Sequence, residues 1–121
     1  MEILTTVFIW LVAIEALLIM VLEILGNDRM LAAAFSLSSS YLKQPEARIA
    51  LSNQGIYNGF IGCGLLFSFF YPVIDVQKNF CLLFTIFVVV AAVWGALTAK
   101  NSKILLVQGL PALIAAILLL I

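Results

Sequence analysis

Glu15 and Glu23 are the only ionisable side chains between Ile3 and Leu25, in a run otherwise apolar apart from Thr5 and Thr6. A carboxyl group can take up a proton, release one, hold a cation, or serve as a general acid or base. At hydrocarbon depth it costs roughly 2.5–3.5 kcal/mol on insertion scales, so it is turned toward a partner, a cavity or a proton path. Glu15 lies near the middle of the run, where that cost peaks, and no Lys or Arg is expected at its depth. Glu23 lies near the end of the run, where a long side chain can snorkel to water. Both are candidate catalytic and ligand-binding residues.

A second set of polar residues sits on the run that begins near Pro45. At about 100° per residue, Asn53, Gln54, Tyr57 and Asn58 share one arc of a helix. Gly55, Gly59, Gly62 and Cys63 form the adjacent arc, and Ile56 and Phe60 the remaining side. The small arc admits a neighbouring backbone, the bulky arc suits lipid, and the polar arc is expected to face the glutamates. Trp94 and Gln108, on later runs, complete the candidate ligand-binding set. Single interhelical amides are often mere ties worth about 0.6 kcal/mol, but four polar side chains within two turns exceed what tying requires.

Other chemistries lack their residues. The chain has no histidine and two cysteines, Cys63 and Cys81, a poor set for a transition metal. No serine has a histidine to activate it. The glycines of the second run do not form a phosphate-cradling loop between strand and helix. Neither a metal nor a cofactor is expected. The two cysteines lie at different depths, too far apart for a disulfide, and read as packing residues.

The elements that must position these groups follow from composition. The chain has 121 residues, 65% hydrophobic and 10% charged, with zero formal net charge. Soluble domains carry about 25% charged residues. The mean hydropathy is +1.25. The six Lys/Arg are scattered, which speaks against nucleic acid as a partner. The expected fold is all-α: a single membrane-spanning four-helix bundle over residues 1–121. Its spans are about 3–25, 46–71, 80–98 and 104–121, each long enough or nearly so to cross a bilayer. The first lacks a basic leading segment and is too long for a signal h-region, so it reads as a true span.

Pro45 and Glu46 suit the first turn of the second span. Gly26-Asn27-Asp28 stops the first helix and can cap another. Met30, Leu31, Ala34 and Phe35 then recur at helical spacing before the break at Ser38-Ser39-Ser40, which predicts a short interfacial helix. Basic residues set the orientation. Arg29, Lys43 and Arg48 flank the first loop, Lys100 and Lys103 the third, and Lys78 alone the second. Both termini are therefore expected outside a cell (plasma) membrane, with the candidate site in the cytoplasmic half.

The string Ser52-Asn53-Gln54-Gly55-Ile56-Tyr57-Asn58-Gly59-Phe60 resembles the small bacterial membrane proteins of domain-of-unknown-function family 1304. Ile14 to Glu23, Val93-Trp94-Gly95-Ala96-Leu97-Thr98 and Val107-Gln108-Gly109-Leu110-Pro111-Ala112 extend the resemblance over all four runs. It implies a four-span integral membrane protein without an established activity. Members commonly carry a histidine just after the first glutamate. Here that position is Ala16, so chemistry resting on an imidazole there is not expected.

Three functions fit these residues. The first is a bundle that binds or transports a small ligand with Glu15 protonation, a layout similar in plan to small multidrug-resistance exporters but without a shared motif. One such chain encloses little volume, so a transport path calls for a homodimer. The second is a membrane-embedded enzyme acting on a lipid or isoprenoid, with Glu15 and Glu23 as acid and base and the amides orienting substrate. The third is a structural assembly subunit that uses the small-residue arc. In all three the lipid bilayer is a partner; in the first two a small molecule or lipid is the ligand.

Overall fold

The computed structural model describes residues 1–121 as an all-α bundle. The chain runs through α1 (Ile3–Leu25), α2 (Asp28–Phe35), α3 (Ser39–Leu42), α4 (Pro45–Phe69) and α5 (Ile74–Ala99). It ends in α6 (Ser102–Leu120). Helices α1, α5 and α6 are long and apolar enough to cross a membrane. Helix α4 has the length, but Ser52, Asn53, Gln54, Tyr57 and Asn58 lower the hydropathy of its first half.

Surface chemistry explains why this is a membrane protein. On α1 the residues Leu4, Val7, Leu11, Ile14, Leu18, Val21 and Leu25 are all exposed. They follow helical spacing, so they make one continuous apolar stripe, and similar stripes run along α5 and α6. A helix that is apolar on every side needs an apolar solvent around it. Lipid supplies that.

The buried side of α1 holds Ile9, Val12, Ala13 and Ala16, and the first three pack with Leu65, Cys81, Ala112 and Ala115 of the other long helices. The tightest seam joins α1 to α4, and glycines make it. A methyl group on Gly55 would lie 3.1 Å from the Met20 carbonyl, and one on Gly62 would lie 3.0 Å from the Ala13 carbonyl. As numbers rise on α4 they fall on α1, the register of an antiparallel pair. Gly55, Gly59 and Gly62 are thus the close-approach arc expected from the sequence. Cys63 is not part of it: it is exposed, whereas Cys81 is buried. The wheel placed Cys63 beside the glycines, but the arc in contact with α1 is too narrow to include it.

Because Gly55 faces the last turn of α1, α4 extends past α1 by about 12 Å, two turns of helix. Helices α2 and α3 fill that step. Gly26 ends α1 in extended backbone rather than in a left-handed turn. Asn27 then caps α2, accepting the Met30 amide at 2.9 Å. The expected short helix is present, and its Leu31 meets Leu42 and Leu51 in a small separate core. Arg48 of α4 binds the Gly26 carbonyl at 2.6 Å and Asp28 at 3.5 Å, pinning the turn between α1 and α2. The serine run is less of a break than expected, since Ser38 caps α3 through the Tyr41 amide at 3.2 Å.

The second connection is shorter than the sequence suggested. Helix α5 begins at Ile74 rather than near Phe80, and Lys78 stands within it rather than in a loop. Asp75 in the first turn suits that helix end, and the Gln77 amide donates to the Phe69 carbonyl at the end of α4. The two ends of the bundle are chemically distinct. Met1, Glu2, Lys78 and Ile121 line one concavity. At the opposite end, the Asn101 amide reaches Ser36 at 3.3 Å, joining the α5–α6 connection to α2.

Candidate functional site

The two glutamates occupy unlike surroundings. Glu23 is buried, 2% exposed, and both of its oxygens are held. Gln54 Nε2 donates to Oε1 and Asn58 Nδ2 to Oε2, each at 2.7 Å. The two amides sit four residues apart on α4, one turn, so they close on the carboxyl together. Glu23 does not take the alternative of snorkelling to water. The reason is register: Gly55 lets α4 lie directly against the Glu23 stem, with a would-be methyl 3.1 Å from its Cβ.

Glu15 has no such clamp. Its Oε1 is buried and finds no hydrogen-bond donor in the chain. Two turns of α1 separate it from Glu23, roughly 12 Å of rise, so the α4 amides that hold Glu23 leave it alone. It lines an open cleft of about 330 Å³ together with Leu18, Leu22, Phe35, Lys103 and Gln108. A small inner pocket of about 20 Å³ adjoins it, bounded by Glu15, Asn58, Gln108 and Val88. That is room for one water molecule. Asn58 therefore touches both environments: it donates to Glu23 and borders the pocket of Glu15.

A π-helical turn, Leu105–Gly109, within α6 supplies Val107 and Gln108 to the lining of the cleft. Pro111 has no N–H and its ring displaces the carbonyl of Val107, four residues earlier. The ladder widens to accommodate it, and the Leu110 amide bonds the Leu105 carbonyl, five residues back. Gln108 stands on this widened turn. Proline inside an apolar run was the one sequence signal for it.

The polar arc of α4 does not face the glutamates as a unit. Gln54 and Asn58 turn to Glu23, whereas Asn53 is exposed and Tyr57 is 69% exposed, its ring edge-on to Phe60. Trp94 is also 69% exposed, on the outer face of α5. None of these three lines the cleft or the inner pocket. An arc of four residues on a helix spans too wide an angle to meet one partner. The two outward aromatic rings suit the headgroup level of a bilayer. Lys103 and Phe35 were not anticipated at this site. Lys103 corrects the expectation that no basic residue approaches Glu15, because the turn into α6 brings it to the same cleft.

A bundle of helices with lipid-facing stripes, enclosing one clamped and one unclamped carboxyl, defines an all-α membrane protein with a polar site in an apolar frame. Residues 10–120 match the family described as "Protein of unknown function (DUF1304)", and the chain belongs to that family. It is similar to the "Uncharacterized protein YpaA" of Lactococcus lactis subsp. lactis (strain IL1403). The two are 36% identical over 118 residues, covering 97% of each chain. No solved structure matches it.

Proposed function

We propose that residues 1–121 form a single integral membrane domain that binds or transports a small ligand in the cleft beside Glu15, with Glu15 gaining or losing a proton in the process. One observation carries this reading: Glu15, which has a buried carboxyl oxygen without a donor, lines a cleft that can hold a ligand. Leaving such an atom unsatisfied costs free energy, and a ligand group or a proton removes that cost. A lipid-acting enzyme using Glu15 and Glu23 as a pair would want both carboxyls at one cleft. Glu23 does not line this cleft, which favours the binding reading.

A lipophilic carbodiimide adds to a protonated carboxyl and so reports which glutamate is free to react. In membranes, Glu15 should be modified and Glu23 spared, because both Glu23 oxygens are engaged. Peptide mass spectrometry reads the site. Modification of Glu23 alone would overturn the assignment of Glu15. Glu15→Gln should preserve the fold, with little change in thermal unfolding, while abolishing any proton exchange that accompanies binding. A large destabilisation would mean that Glu15 is structural.

The same reading places the chain in the plasma membrane with four crossings and both termini outside. Its support is the gathering of Arg29, Lys43, Arg48, Lys100 and Lys103 around the end of the bundle opposite Lys78 and the chain termini. Helix α4 crosses with the rest because its polar residues lie in its first half, beside α1 and the step filled by α2 and α3. In a background lacking Cys63 and Cys81, a cysteine at Lys78 should react with an impermeant thiol reagent on intact cells. Cysteines at Lys43 and Lys100 should not. The reverse pattern would invert the topology.

A further inference from the structure

We infer that the ligand class of the Glu15 cleft is a neutral lipid alcohol, its hydroxyl held between Glu15 and Gln108 and its hydrocarbon against Leu18, Leu22 and Phe35. The inference rests on the cleft being a ligand site and adds which chemistry it selects. The lining offers few polar groups: Glu15, Gln108 and, in the turn before Gln108, Lys103. The other seven lining residues are hydrophobic. A ligand filling this space is therefore mostly hydrocarbon with a single small polar head.

Hydrogen-bond arithmetic selects the head. Oε1 of Glu15 is an acceptor without a donor, and an amide such as that of Gln108 can both donate and accept. A hydroxyl donates one hydrogen bond and accepts others, so it satisfies the carboxyl and takes the Gln108 N–H. When Glu15 is protonated, the hydroxyl can accept from it instead. An ammonium head has three donors and no acceptor. It would leave the Gln108 N–H unmatched and would share the cleft with the Lys103 cation. A carboxylate or phosphate head accepts only, so it would set acceptor against acceptor at an ionised Glu15. Lys103 attracts such an anion, which makes the anionic probe the necessary comparison.

Three photoreactive probes of one chain length test this: diazirine-bearing decanol, decylammonium and decanoate. Each is presented to the full-length protein in lipid nanodiscs, and the cross-linked residues are mapped by peptide mass spectrometry. The alcohol should label Leu18, Leu22 or Phe35 most strongly. Gln108→Leu and Glu15→Leu should each weaken its apparent affinity about tenfold, the loss of one well-made hydrogen bond. Glu15→Gln should retain labelling, because it keeps a donor and an acceptor, and helical circular dichroism verifies that each variant is folded. Stronger cleft labelling by the ammonium or by the carboxylate would overturn the alcohol assignment while leaving the cleft a ligand site. Labelling by none of the three at these residues, in folded protein, would overturn both.

Discussion

Gly62→Leu should destabilise the purified protein by about 3 kcal/mol, the upper part of the usual overpacking range, measured by thermal or denaturant unfolding in detergent. The Cβ of any larger residue at position 62 would sit 3.0 Å from the Ala13 carbonyl and 2.7 Å from Leu17 Cγ. Backbone cannot step aside as a side chain can, so α1 and α4 would have to separate along their seam. The neighbouring positions provide the controls. Gly59 faces the flexible thioether of Met20, so Gly59→Ala should cost much less. Phe60 is 61% exposed on the outer face, and Phe60→Leu should unfold like the parent. Equal behaviour of Gly62→Leu and Phe60→Leu would refute the seam.

Glu23→Ala should cost about 2–3 kcal/mol, well above the roughly 0.6 kcal/mol of an average interhelical hydrogen bond in a membrane. The change removes both acceptors at once and leaves the amide donors of Gln54 and Asn58 facing an emptied space. Gln54 is exposed and can turn to headgroup water, whereas Asn58 is half-buried, so most of the penalty falls on Asn58. Pairing the change with Asn58→Leu should recover part of the loss, since removing both partners of a buried pair is cheaper than removing one. Glu23→Gln keeps one acceptor and should fall between wild type and Glu23→Ala. If Glu23→Ala unfolds like wild type, the clamp contributes nothing to the fold. The expected contrast with Glu15 is sharp: the same residue type on the same helix, with a neutral replacement costly at position 23 and tolerated at position 15.

The sequence by itself determined the membrane environment, the all-α class and most helix ends. Those depend on local chemistry: apolar runs of span length, Asn27 in a segment that can cap, and Pro45 and Glu46 at a first turn. It also determined that Gly55, Gly59 and Gly62 mark a close approach, because only a missing side chain permits one. What it left open was rotation and register. In a soluble helix, polar and apolar faces announce which side is inside. On α1 the lipid stripe from Leu4 to Leu25 and the buried stripe from Ile9 to Ala16 are equally apolar, so periodicity does not separate them.

Which glutamate meets the α4 amides was therefore undecided until α1 and α4 were set side by side. Tertiary packing put Gly55 against Glu23, gave Glu23 both Gln54 and Asn58, and turned Tyr57 outward. It left Glu15 two turns away without a donor and closed a cleft around it with residues from α2 and α6, far off in sequence. Spacing along one helix names the groups that can do chemistry. Only contacts between helices decide which of them are already satisfied, because a hydrogen-bond partner at membrane depth must come from another segment or from a ligand.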